Sequence, residues 1–166
     1  MNLTPTSYIV LGLLERLEEG TPYDLKKLAA ESVGYFWSVQ HAQLYSEPER
    51  LAMAGLLKEE REQGGRRRRR YRLTDDGRAA LELWRGTPSE SFTELRDPGL
   101  LQLFFGADPK SLAHRQLQLH ADRLEKYELL HAHLPAGTPE GPRLALTAGI
   151  GHEREWVRFW AEVAGN

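Results

Sequence analysis

The residues of this chain best suited to binding a charged partner are six arginines close together near the middle of the sequence. Arg66 to Arg70 are consecutive, and Arg72 follows after one tyrosine. Guanidinium groups at this density repel one another unless they meet a polyanion, and they bind phosphate with good geometry. The net charge of the whole chain is only −2, so this is a local basic patch. We expect phosphate groups, or an acidic protein surface, to bind here.

Short polar side chains precede the arginines, in a segment with helical apolar spacing. Gln can form two hydrogen bonds with adenine, and Ser can hydrogen-bond with either kind of base. Candidate base-contacting side chains are Ser38, Gln40, Gln43 and Ser46, with His41 beside them. Tyr45 suits phosphate contact or packing better than base recognition. Each of these side chains could instead belong only to the solvated face of a helix.

The sequence offers little for catalysis or for metal binding. It contains no cysteine, which excludes thiolate ligands and thiol nucleophiles and fits a reducing compartment. His131 and His133 are two residues apart on a predicted helix and therefore point away from each other. Asp75 and Asp76 resemble a catalytic pair, but acids at the start of a helix explain them. We predict no enzymatic activity, no metal site and no cofactor.

Capping residues and apolar spacing predict three helices in the first third of the chain. The first covers roughly 4–18, and the second is a short helix that opens at the Thr-Pro pair 21–22. The third covers roughly 39–54, with Ser38 as its N-cap. Pro48 lies inside it and removes one backbone hydrogen bond, so we expect a bent but single helix.

Two short segments, 56–62 and 66–73, flank a Gln-Gly-Gly sequence that suits a tight turn. They predict a β-hairpin whose second arm carries the arginines. Alternation along that arm places Arg66, Arg68 and Arg70 on one face and Arg67, Arg69 and Tyr71 on the other. We expect neither face to be buried, because isolated guanidinium groups do not enter a core. Thr74 then caps a fourth helix.

The order of helix, helix, turn, helix, hairpin and helix is that of a winged helix-turn-helix domain, which we place at 1–86. In such domains the third helix enters the major groove of DNA, and the hairpin, or wing, lies along the backbone or the minor groove. The candidate DNA contacts are therefore the polar residues of the third helix together with Arg66, Arg67, Arg68, Arg69, Arg70 and Arg72.

The remaining residues, 87–166, predict a helical domain. A Thr-, Pro- and Ser-rich connection ends at about 97, and the nearly all-apolar segment 98–105 is expected to be buried. Two long helices follow, at roughly 108–133 and 143–163. The apolar faces of such helices exceed what a small winged domain can cover, so we expect a twofold-related copy to cover them. The candidate dimerisation residues are Leu117, Leu124, Trp156, Phe159 and Trp160.

Three segments carry a resemblance to a known family: SVQHAQLYSEPERLAMAGLL (38–57), RRYRLTDDGRAAL (69–81) and LRDPGLLQLFFG (95–106). They resemble the PadR-like transcriptional regulators, in particular those with the helical C-terminal domain named after virulence activators. The resemblance implies a homodimer that binds an inverted repeat in double-stranded DNA, usually as a repressor. It also implies that a small aromatic or other hydrophobic effector releases some members from DNA.

The sequence thus predicts a mostly α protein, a winged helix-turn-helix domain with a small hairpin followed by a helical dimerisation and possible effector domain. Two other interpretations stay open: a protein-interaction module that uses the same fold without DNA, and a fragment of a small-molecule enzyme. Aromatic residues of the C-terminal half could line an effector pocket, although core or dimer packing is favoured. The N-terminal segment resembles neither a signal peptide nor a membrane span, so we expect a cytoplasmic protein.

Overall fold

The structure of the chain is a computed structural model that describes residues 2–61 and 68–165. The chain divides into two compact units, 1–91 and 92–166.

The first unit is built on four α-helices whose starts follow from local sequence. The helices are α1 (Pro5–Leu17), α2 (Pro22–Ala30), α3 (His41–Met53) and α4 (Asp75–Arg85), with a short 3-10 helix at Val33–Tyr35 between α2 and α3. Thr4 and Thr21 each form a reciprocal capping box with the residue three positions on, and a proline occupies the first turn of both helices. These two side-chain exchanges satisfy backbone amides that would otherwise have no partner.

Helix α3 is one continuous helix that contains Pro48, as expected. The prediction that Ser38 caps it is wrong, because the cap position is Gln40, which makes no side-chain capping hydrogen bond. Pro48 is buried together with Leu44 and Leu51, the apolar face of the helix. The ring of Pro48 therefore belongs to the buried face of the helix.

The predicted hairpin consists of β1 (Leu57–Arg61) and β2 (Arg69–Leu73), paired antiparallel with Leu57 opposite Leu73. Gly20 extends this sheet, because its amide and carbonyl both hydrogen-bond to Tyr71, at 3.0 and 2.9 Å. The expectation that neither face of the second arm is buried is wrong. Tyr71 and Leu73 are buried, since their side chains pack into the core of the first unit.

The core of the first unit is formed by leucines from every helix and from both strands, chiefly Leu11, Leu14, Leu25, Leu44, Leu51, Leu57, Leu73 and Leu81. Helix α4 approaches this core closely at Gly77. A Cβ atom on Gly77 would lie 2.1 Å from the carbonyl oxygen of Leu56, so no other residue fits there without moving the backbone.

The second unit contains α5 (Pro98–Phe104), α6 (Pro109–Ala132) and α7 (Glu140–Ala164). Helices α6 and α7 form an antiparallel pair, with Tyr127 and Ile150 buried. The prediction that 98–105 is buried is wrong within the chain: Phe104 and Phe105 are 82% and 77% exposed. Helix α5 lies against α6 through Gly99, beside Gln116, so its large side chains project elsewhere.

The candidate dimerisation residues differ in their exposure. Leu117, Leu124, Trp156 and Phe159 are half-buried, and a role for them in dimerisation stays a prediction. Trp160 is 0% exposed in the single chain. The prediction that it contacts a second copy is therefore wrong. It packs instead within the chain, with Phe159 at a ring separation of 4.9 Å. Within the described residues, no helix is long and apolar enough to cross a membrane.

Candidate nucleic-acid interface

The outward face of α3 is polar. All six candidates from this region, Ser38, Gln40, His41, Gln43, Tyr45 and Ser46, are exposed. Gln43, Ser46 and Glu49 are spaced three residues apart and therefore form one stripe along the helix. We call these three residues the α3 stripe. The first turn of the helix carries Gln43, where a bound duplex would meet it first.

Helix α3 is held from behind by a polar network as well as by its leucines. The Ser7 hydroxyl donates to the Glu47 carboxylate at 2.6 Å, and the Arg50 guanidinium donates to Ser7 at 2.9 Å. Arg50 also hydrogen-bonds to Glu47, at 2.5 and 2.9 Å. Ser7 is completely buried in α1. The network thus ties the start of α1 to the middle of α3.

The charge of Glu47 is maintained by its two partners. Burial by itself would raise the pKa of Glu47, but the hydrogen bonds from Arg50 and Ser7 outweigh burial and hold the pKa below its usual value. The carboxylate is therefore ionised at neutral pH, which keeps the α1–α3 connection intact.

The arginines of β2 meet carboxylates from three different elements. Arg69 lies 2.9 Å from Glu49 of α3, Arg70 lies 2.8 Å from Glu19, and Arg72 lies 3.1 Å from Glu60 of β1. Acidic side chains distant in sequence neutralise part of their charge.

The ion pair between Arg69 and Glu49 joins the hairpin to the α3 stripe. Glu49 lies at the end of that stripe, so Arg69 reaches the same side of the unit as Gln43 and Ser46. Arg70 and Arg72 project from the opposite face of β2 and are exposed. Arg68 is also exposed, whereas the candidates Arg66 and Arg67 lie outside the described residues.

Sequence reasoning missed two of the residues that shape this surface. Residue type and spacing alone do not single out Glu49 or Ser7. The helical spacing of Glu49 from Gln43 was visible in the sequence. Its contact with an arginine twenty positions away, across a hairpin, was not.

The second unit contains an aromatic cluster around a buried acid. Glu153 is 3% exposed, and its carboxylate lies 2.6 Å from Nδ1 of His120, which stacks on Trp156. The Nε1 atom of Trp160 is buried without a hydrogen-bond partner. The described residues contain no group of three His, Cys, Asp or Glu side chains arranged to hold a metal.

Comparison with known proteins agrees with this arrangement. Residues 10–83 match the family described as the transcriptional regulator PadR-like family, and residues 95–165 match the family described as virulence activator alpha C-term. The chain belongs to the PadR-like transcriptional regulators. In this PadR-like regulator, the first match contains α2, α3 and the hairpin, and the second contains α5, α6 and α7.

Relatives of this PadR-like regulator cover almost its full length. It is 29% identical to the negative transcriptional regulator PadR of Bacillus subtilis, over 93% of this chain and 92% of that protein. The crystal structure of Bacillus subtilis PadR in complex with operator DNA superposes with a TM-score of 0.82, at 25% identity and 96% coverage of both chains. The complex of the same protein with p-coumaric acid gives a TM-score of 0.75, at 27% identity and the same coverage.

Proposed function

We propose that this chain is a cytoplasmic repressor of transcription that binds an inverted-repeat operator as a homodimer. The observation that carries the proposal is the contact between Arg69 and Glu49, which brings the arginine-rich strand to the same side as the α3 stripe. A duplex placed against that side meets both. Similarity to a negative regulator whose structure contains operator DNA supports the same conclusion.

In this mechanism each subunit inserts α3 into a major groove, where Gln43 and Ser46 contact base edges. Arg69 of β2 and the arginines of the preceding run contact phosphates beside the groove. Phosphate contacts give affinity and register, while base contacts give sequence preference. Two copies related by a twofold axis would place their α3 helices about 34 Å apart, one turn of DNA. A dimer bound at an operator that overlaps a promoter would block transcription.

Release by a small aromatic acid is the second part of the proposal. The related Bacillus subtilis protein has been solved with p-coumaric acid, and the second unit of this chain has its own cluster of aromatic rings. An effector that binds one relative orientation of the winged domains better than another would shift the dimer away from the spacing that DNA requires.

A mobility-shift titration against salt tests DNA binding. The wild-type chain should bind duplex with an affinity that falls steeply as salt rises, because bound arginines displace counterions. Replacing Arg66 through Arg70 by alanine should flatten that slope. Replacing Arg115 and Arg143, two exposed arginines of the second unit, should leave it unchanged. An affinity that does not respond to salt, or that survives loss of the arginine run, would contradict the phosphate contacts of the proposal, and a chain that retains no duplex would favour a protein-interaction module.

A further inference from the structure

Arg69 lies 2.9 Å from Glu49 and 3.7 Å from Glu59 of β1. Glu49, the nearer partner, follows Gln43 and Ser46 along the α3 stripe, whereas Glu19, beside Arg70, follows α1, and Glu60, beside Arg72, lies on β1. The side chains of Arg69 and Glu49 are 38% and 49% exposed. Both ends of this pair are therefore accessible to a duplex bound over α3.

Folding stability is a poor explanation for this pair. Half-exposed ion pairs contribute little to stability, because water screens them and two long side chains must be immobilised. A carboxylate on a face that binds DNA also repels phosphate. Its place on the stripe thus calls for an explanation in terms of the bound state.

We propose that Glu49 is a specificity-determining residue, which holds Arg69 in the free protein and penalises every duplex that offers its carboxylate no hydrogen-bond donor. This inference rests on the proposed function. When the operator binds, a phosphate replaces Glu49 as the partner of Arg69, and the carboxylate turns to the duplex. A base amino group in the major groove, such as N4 of cytosine, satisfies the carboxylate. On a duplex without such a group, Glu49 stays paired with Arg69 and withholds it from phosphate.

The two kinds of complex should therefore respond differently to loss of the charge. Binding to arbitrary sequence depends almost entirely on phosphate contacts. Removing Glu49 frees Arg69 for phosphate and therefore strengthens this non-specific binding. Binding to the operator loses a base contact at the same time and gains less. The ratio of operator affinity to non-specific affinity is accordingly expected to fall.

The test compares wild type with Glu49→Gln, using a mixed-sequence duplex and a duplex selected from random sequences by the wild-type chain. Glu49→Gln should bind the mixed-sequence duplex several-fold more tightly, with a salt slope steeper by about 0.9, equivalent to one additional phosphate contact. Its operator affinity should rise less or fall. Selection repeated with Glu49→Gln should lose a preference for cytosine at one position in each half-site.

Three further variants isolate the pair. Glu125→Gln changes the net charge equally but lies on the exposed surface of α6, and should behave as wild type. Glu49→Asp keeps the charge and should retain most of the discrimination. In an Arg69→Gln background, Glu49→Gln should no longer steepen the salt slope, because the arginine that it would free is absent.

The inference is overturned if Glu49→Gln matches wild type on both duplexes, or if it strengthens both by the same factor. A wild-type chain that retains no duplex at all would refute the proposed function, and this inference with it. If the wild type binds duplex and Glu49→Gln discriminates between the two duplexes as well as the wild type does, only the inference is refuted.

Discussion

Several side chains of the DNA-facing surface need a partner both in the free chain and in the complex with DNA. In the free chain, Arg69, Arg70 and Arg72 each have a carboxylate partner, and a bound duplex must replace at least some of those partners by phosphate. The Ser46 hydroxyl donates to the Ala42 carbonyl oxygen at 3.2 Å, whereas the amide of Gln43 is exposed and can pass from water to base edges. We therefore expect arginine substitutions to change affinity for all sequences and Gln43 substitutions to change sequence preference.

Gln43→Ala is the direct test of base reading. It should weaken binding to the selected operator by about 1–3 kcal/mol, the usual cost of losing a bidentate base contact. Binding to mixed-sequence duplex should change little, because no phosphate contact is removed. Competition assays with both duplexes at one salt concentration measure the difference. An equal loss on both would show that Gln43 serves affinity and not recognition.

Between elements, the connection from α1 to α3 depends on an ionised carboxylate. The pKa of Glu47 is held below its usual value in the folded chain. A group of this kind contributes stability above its unfolded pKa, about 4.3 for Glu, and loses that contribution as pH falls through the folded value. The contact that orients α3 is therefore expected to weaken in acid before the leucine core does.

The Glu47→Gln variant should expose this dependence. At pH 7 it should unfold at lower urea than wild type, because Ser7 and Arg50 lose a charged partner. The gap between the two proteins should close as pH falls through the lowered pKa of folded Glu47, because wild-type Glu47 is then protonated as well. Urea unfolding followed by circular dichroism across this pH range gives the comparison. A constant gap from pH 7 to pH 3 would contradict the assignment.

The crossing of α4 over the start of the hairpin depends on the absence of a side chain at Gly77. Gly77→Ala places a Cβ atom 2.1 Å from the carbonyl oxygen of Leu56, so the backbone must move, at a cost of about 1–3 kcal/mol or more. Gly12→Ala is the matched control in the middle of α1, where nothing lies within 4 Å. It should be neutral or stabilising, by about 0.5–1 kcal/mol. Equal stability of the two variants would refute this account of the crossing.

For the whole molecule, local signals in the sequence predicted the order of the elements well. Thr-Pro pairs start α1 and α2, paired glycines separate two short strands, and Asp-Pro starts α6. Contacts between distant residues were beyond such signals, because they depend on packing. Two examples are the backbone pairing of Tyr71 with Gly20 and the ion pair of Arg69 with Glu49.

The exposed aromatic residues at the end of α5 show a second limit of prediction from sequence. An apolar run such as 98–105 normally predicts burial, yet Phe104 and Phe105 are exposed in the single chain. Hydrophobicity indicates that a surface needs covering, but it does not indicate whether the same chain covers it.

In the proposed complex, α3 and the arginine strand of each subunit contact the same half-site of one duplex, and the symmetric dimer repeats this contact at the second half-site. The chain has no cysteine, so Gln43→Cys and Arg68→Cys each provide a single attachment point for iron-EDTA, which cleaves DNA close to where it is bound. We predict cleavage from both positions within the same half-site, less than about one helical turn apart, repeated with twofold symmetry across the selected operator. Cleavage from only one of the two positions, or from the two at unrelated places on the duplex, would contradict the account.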